Sequence, residues 1–331
     1  MRVARSVTIA LGRSAITWLR LSLVIAATPV LIGVNASAST TGRLPQGICT
    51  HPDTIYGHGF EAQPPRYFEP SNGTGGAVGG SIRNFSVPGF GIHSYYRYVP
   101  SSYEPTRPMP MLILLHGTGG PTYPANTAAY ALIFGTGNPV GTVPGWKVVA
   151  DAAQIIIVAP VGSGQSGGWV IPSTPTDITD YDAFRAILAD MKSAYNIDGS
   201  RIHGWGYSSG GSVMNDLIFG PFTSPGIDID TFAGLGNWAG GLDGLACAGD
   251  PEPTCLQRVT SASRMLPIDL HVGINDSASR PHVLADYSRF QNAGWVPESN
   301  LWYRDTPNFH EYDPAYFPEI WDHLCPFQRL P

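Results

Sequence analysis

Apolar runs and amphipathic stripes alternate along most of the chain. Met111 to Leu115 is continuously apolar, and Gln154 to Ala159 holds a second apolar run, Ile155-Ile156-Ile157-Val158. Such runs mark strands buried on both faces. His93 to Val99 reads as a strand before them. Phe184, Ile187, Leu188, Met191 and Tyr195 carry a helical stripe, with Thr179 and Asp182 as a capping box at its start. Arg201 to Trp205 reads as a short strand. Val213, Met214, Leu217 and Ile218 continue as a helix until Gly220-Pro221. Thr231–Leu235, Ile268–Val272 and Asn300–Tyr303 are further strands. Val283–Phe290 and Ile320–Phe327 are helices. Strands alternating with helices predict an α/β fold, a mainly parallel sheet with helices on both faces, in one domain over 93–331.

The beginning of the chain departs from this pattern. Residues 1–38 hold four arginines (Arg2, Arg5, Arg13, Arg20) and no acid, then an apolar run, Leu21 to Val34, then Ala36-Ser37-Ala38. This is the pattern of a cleavable signal peptide and predicts secretion, to the exterior or a periplasm. An uncleaved anchor is disfavoured by Pro29 and the short run, so no stable membrane association is expected after cleavage. Residues 39–92 are rich in Gly, Pro, Ser and Thr and read as an irregular arm. Its His51, Asp53 and His58 read as loop residues, not metal ligands.

Removing the leader would shift the formal charge from −6 to −10, with no basic run left, which argues against nucleic-acid partners. The four cysteines of an exported chain suggest two disulfides. Cys247 with Cys255 is the expected short loop, and Cys49 with Cys325 would then tie the two termini. No C-x-x-C or close Cys/His cluster points to zinc, and no metal or cofactor is expected.

Gly206-Tyr207-Ser208-Ser209-Gly210 sits between the strand at 201–205 and the helix after it. That is the setting of a G-x-S-x-G nucleophile elbow, with Ser208 at its apex. Asp276 follows the strand at 268–272, and His310 follows the strand at 300–303. Ser208, Asp276, His310 is the chain order of the α/β-hydrolase fold. An acid at 276 would orient the imidazole, which would act as general base. Asp286 is the competing acid and His323 the competing base, but both fall inside helical patterns. His271 and His282 rank below them. The loop His116-Gly117-Thr118-Gly119-Gly120 would supply one oxyanion amide, from Thr118 with Gly119 as fallback; Ser209 would supply the other. His116 reads as a structural hydrogen-bonding residue. Trp169 and Trp238 near the sheet top, and Tyr207, are candidate substrate-binding residues.

Tyr96-Arg97-Tyr98-Val99-Pro100, Leu112 to Gly117, Gly168-Trp169, Tyr195 to Asp198, Arg201-Ile202 and Gly206 to Gly211 together resemble the secreted polyhydroxybutyrate depolymerase and feruloyl esterase group of α/β-hydrolases. The likeness spans roughly 93–327 and is strongest from 93 to 215. It implies Ser208, Asp276 and His310 as a triad and Thr118 and Ser209 as oxyanion donors. Two departures stand out: Ser209 replaces a frequent Ala, and Asn308-Phe309-His310 replaces a Gly-His pair. The expected function is a secreted serine esterase acting on feruloylated or acetylated polysaccharide. A depolymerase of polyhydroxyalkanoate oligomers is the near alternative. An acyltransferase or a non-catalytic binding protein on the same scaffold are the more distant ones.

Overall fold

The computed structural model describes residues 68–329 apart from 121–122, 138–141 and 223–225. The leader, most of the arm and Cys49 lie outside the described residues. The described chain forms strands β1 (Gly79–Val87), β2 (Gly91–Val99), β3 (Met109–Leu115), β4 (Ile156–Pro160), β5 (Ile197–Tyr207), β6 (Gly234–Trp238), β7 (Ile268–Gly273) and β8 (Leu301–Thr306). It also forms helices α1 (Ala125–Phe134), α2 (Lys147–Ala153), α3 (Asp180–Ala194), α4 (Ser209–Phe219), α5 (Glu252–Thr260), α6 (Arg280–Asn292) and α7 (Phe317–Leu324). The strands make one sheet in the order β1-β2-β4-β3-β5-β6-β7-β8, with β1 and β2 antiparallel and β3 to β8 parallel.

Successive side chains of β5 show how the sheet is covered. Trp205 points to one face, where it meets Trp146 before α2 and Phe317 of α7. Gly204 points to the other, where a Cβ would lie 2.8 Å from Met214 of α4. Helices therefore bury both faces of the parallel strands, in keeping with the nearly continuous apolar runs of β3 and β4. Thr179 and Asp182 form the capping box expected at the start of α3.

Residues 79–92, read as part of an irregular arm, instead form β1 and the turn into β2. β1 lies at the sheet edge and buries little of its length, so only Ile82, Phe85 and Val87 carry an apolar signal. The strand expected at 231–235 runs from Gly234 to Trp238. Its glycines answer a tertiary demand: a Cβ on Gly236 would sit 2.6 Å from the Trp205 ring.

Cys247 is bonded to Cys255, across the connection that enters α5. Cys325 is also disulfide-bonded. A loop of this size, eight residues apart in sequence, restricts the unfolded chain by about 2.5 kcal/mol. The double variant Cys247→Ser, Cys255→Ser should lose roughly that stability in urea unfolding, and a loss near zero would remove the disulfide from the stability of this region.

Candidate active site

Ser208 stands between β5 and α4 with φ 52° and ψ −122°, a left-handed backbone rare for a residue with a side chain. Its amide donates to Trp238 O (2.7 Å) and its carbonyl accepts from Ser212 N (3.0 Å), so β6 and α4 hold it from both sides. The turn closes because its glycines have no Cβ. One on Gly206 would lie 2.4 Å from Gly210 O, and one on Gly210 would lie 2.3 Å from Leu115 O. Ser209 is the first residue of α4. Its amide belongs to the first turn, where N–H groups lack an intrahelical acceptor and the helix dipole is positive.

Asp276 follows β7 and is 4% exposed. Its amide donates to Gly273 O (3.0 Å), which fixes the turn. Gly273 lets this turn meet the loop after β8, since a Cβ there would lie 2.0 Å from Phe309 O. That loop carries His310. His310 Nδ1 is 2.6 Å from Asp276 Oδ2 and His310 Nε2 is 2.8 Å from Ser208 Oγ. With Nδ1–H donating to the carboxylate, the Nε2 lone pair faces the serine hydroxyl, which donates to it. Burial alone would raise the Asp276 pKa. Hydrogen bonds from the Ser279 amide, His310 and the Ser279 hydroxyl outweigh it and hold the carboxyl below its ordinary value, so it is ionised.

Thr118 is exposed on the loop after β3, beside the first residue of α4. Its Oγ1 donates to Ser209 Oγ (2.9 Å), tying the two proposed oxyanion residues together by their side chains. The serine that departs from the frequent alanine thus has a partner. The Gly119 amide is committed to Gly167 O (3.2 Å), which removes it as the fallback donor. Behind the loop, buried His116 donates from Nδ1 to Gly117 O (2.7 Å) and accepts at Nε2 from Gly162 N (3.0 Å). Burial lowers its pKa to about 4, so it stays neutral and keeps both bonds.

The three aromatic candidates lie at different depths. Trp238 is fully buried and stacks on His271 (5.1 Å) within the core. It contributes to the site through its backbone, by accepting from Ser208 N. Half-buried Trp169 stacks on His116 (4.3 Å) and donates from Nε1 to His116 O (3.0 Å), bracing the Thr118 loop from behind. The Tyr207 hydroxyl donates to the His310 carbonyl, and its ring lies 5.5 Å from the imidazole. Burial pushes the Tyr207 pKa up to about 12, with Asp276 and Glu311 adding to the shift, so it remains a donor.

The competing residues are engaged elsewhere. His323 pairs with buried Asp269 (2.8 Å) and stacks on Trp302 (4.7 Å). Asp286 accepts from Leu242 N (2.7 Å) and Arg289 Nη1 (2.6 Å). His282 faces Asp243 (3.1 Å). Among the described residues, no group of three or more His, Cys, Asp or Glu is placed to hold a metal ion, and no helix is long and apolar enough to cross a membrane.

Sequence reasoning missed Ser279. It lies three residues after Asp276, the spacing at which a turn brings an amide back to a carboxylate, and that spacing was the available signal. Its amide donates to Asp276 Oδ1 (2.9 Å) and its Oγ lies 3.1 Å from His310 Nδ1.

The sequence matches no protein-family profile and no curated protein. Solved structures do resemble it. An S-formylglutathione hydrolase from Staphylococcus aureus superposes with a TM-score of 0.52 at 13% identity, over 76% of this chain and 98% of that one. A thermostable esterase superposes with a TM-score of 0.50 at 18% identity, over 76% of this chain and 63% of that one. A poly(3-hydroxybutyrate) depolymerase from Bordetella parapertussis gives 0.49 at 18% identity, over 75% and 89%. Together with the strand order, the first two likenesses show the α/β-hydrolase fold. The chain spans less than two thirds of the length of the thermostable esterase.

Proposed function

We propose that the protein is a serine hydrolase of carboxylic esters. The observation that carries this reading is the chain of contacts Ser208 Oγ to His310 Nε2 (2.8 Å) and His310 Nδ1 to Asp276 Oδ2 (2.6 Å) on a strained elbow. Ser208 Oγ attacks the ester carbonyl carbon while Nε2 takes its proton. The carbonyl oxygen becomes an oxyanion, held by the amides of Thr118 and Ser209. The C–O bond to the alcohol breaks, and the imidazolium returns the proton to the departing alkoxide. Water then attacks the acyl-serine with His310 again as base, which releases the acid and restores Ser208. Asp276 stays ionised throughout, keeping the tautomer and stabilising the imidazolium.

The resemblance noted in the sequence extends the proposal to feruloyl or acetyl esters of polysaccharides, with hydroxyalkanoate oligomers as the neighbouring class. We also propose export, on the leader pattern and the Cys247–Cys255 bond.

A fluorophosphonate probe tests the core reading: the folded wild type should be labelled at Ser208, and an unlabelled folded protein would end it. A panel of methyl ferulate, acetylated xylan, hydroxybutyrate oligomers and short p-nitrophenyl esters then ranks the acyl groups by kcat/KM. Product analysis with a competing alcohol separates hydrolysis from acyl transfer.

A further inference from the structure

The acid and base of this site share a third residue. We propose that Ser279 is a positioning residue that holds the Asp276–His310 pair in register and keeps water off the hydrogen bond between them. The mechanistic side of this inference rests on the ester-hydrolase reading above.

Three contacts carry it. The Ser279 amide donates to Asp276 Oδ1 (2.9 Å), while Asp276 Oδ2 accepts from His310 Nδ1 (2.6 Å). The two carboxylate oxygens are thereby divided: one held by the backbone, one left for the imidazole. Ser279 Oγ then lies 3.1 Å from the same Nδ1. The Nδ1 proton is directed mainly at Oδ2, with the serine oxygen as its second acceptor. One small residue therefore sets the plane of the acid and the rotation of the base.

The direction of the hydroxyl is the discriminating observation. Ser279 precedes the first turn of α6, and a serine in that position ordinarily turns its side chain back onto a free amide of its own helix. Here it makes no cap bond. The hydroxyl is turned instead onto the Asp276–His310 pair, bonding the carboxylate and lying beside His310 Nδ1, although Ser279 and His310 are far apart in sequence. The serine backbone is well anchored for the purpose. Its carbonyl accepts from Val283 N (3.0 Å), and Pro281 stiffens the turn that follows.

The site needs such a support because the base is not enclosed. The His310 side chain is 44% exposed, and the segment after β8 that carries it has no regular structure. Water reaching Nδ1 would compete with Asp276 for the single N–H. The ring would then be free to turn, and Nε2 would leave its 2.8 Å contact with Ser208 Oγ. Ser279 occupies the place beside Nδ1 that such a water would take. Tyr207 holds the backbone of the same residue through the His310 carbonyl, so ring and loop are secured separately.

The test compares wild type with Ser279→Ala and Ser279→Thr, each checked for an unchanged melting curve. The first readout is the proton NMR signal of His310 Nδ1–H and its exchange with solvent, which needs no substrate. Ser279→Ala should speed that exchange by about fivefold or more, and Ser279→Thr, which keeps the hydroxyl, should restore slow exchange. The second readout is ester turnover. Ser279→Ala should lower kcat by about tenfold with KM within about twofold, because a misplaced base affects the transition state and not substrate binding. Unchanged exchange in Ser279→Ala, or a change confined to KM, would overturn the proposal. A wild type that turns over no ester would defeat the hydrolase reading instead, and the exchange measurement would still decide what Ser279 does.

Discussion

Ser208→Ala is expected to lower kcat for p-nitrophenyl acetate by on the order of 10⁵-fold while leaving the melting temperature within about 2 °C of wild type. The asymmetry follows from the geometry. In the proposed mechanism the hydroxyl is the atom that bonds to the acyl group, so its loss would remove the covalent route. Its contribution to stability is one half-exposed hydrogen bond to His310 Nε2, worth about 1 kcal/mol or less. The left-handed backbone at φ 52° is retained in alanine, so no strain is released. Ser208→Gly adds that release and should be at least as stable as Ser208→Ala. The histidines give the matching control. His310→Ala should cost nearly as much activity as Ser208→Ala, since nucleophile and base act as a unit. His323→Ala should keep most of the activity and lose stability instead, because His323 pairs with Asp269 and stacks on Trp302. An inactive His323→Ala beside an active His310→Ala would show that the base had been misassigned.

Gly210→Ala should cost about 3 kcal/mol of stability and most of the activity. Its Cβ would lie 2.3 Å from Leu115 O and 2.5 Å from His116 O. Both are backbone atoms at the end of β3, and a backbone carbonyl held in a sheet has little room to yield. Relief requires α4 to move away from β3. That movement would separate the Ser209 amide on α4 from Thr118 on the loop after β3, and the 2.9 Å side-chain bond between them would break. Gly120→Ala is the control on the same loop: its Cβ would meet nothing within 4 Å, and stability should change little. Urea unfolding of both variants reads the difference. A Gly210→Ala protein within about 1 kcal/mol of wild type would show that the elbow is looser than this packing implies.

Much of this site was legible before any coordinates. The glycines around Ser208 and the apolar run before His116 state local needs, for a sharp turn and for a strand buried on both faces. Chain order then nominated Asp276 and His310, and the structure places both side chains within hydrogen-bond reach of their partners. Legibility failed where the decisive contact is remote. Trp169 and Trp238 are indistinguishable as letters near a sheet top. One braces the Thr118 loop and the other is sealed in the core. β1 went unseen because an edge strand with few buried positions shows little apolar alternation.

The sequence by itself determined most of the alternation of strands and helices and the elbow with Ser208 at its apex. Those features depend on hydrophobic period and on backbone conformation, which are written over a few neighbouring residues. Chain order already nominated His310; only the tertiary structure decided that Tyr207 holds the His310 loop, that Ser209 answers to Thr118, and that Ser279 touches both Asp276 and His310. Each of these depends on segments far apart in sequence meeting within about 3 Å, a hydrogen-bonding distance. No local pattern of residues encodes which of several equivalent side chains will arrive there.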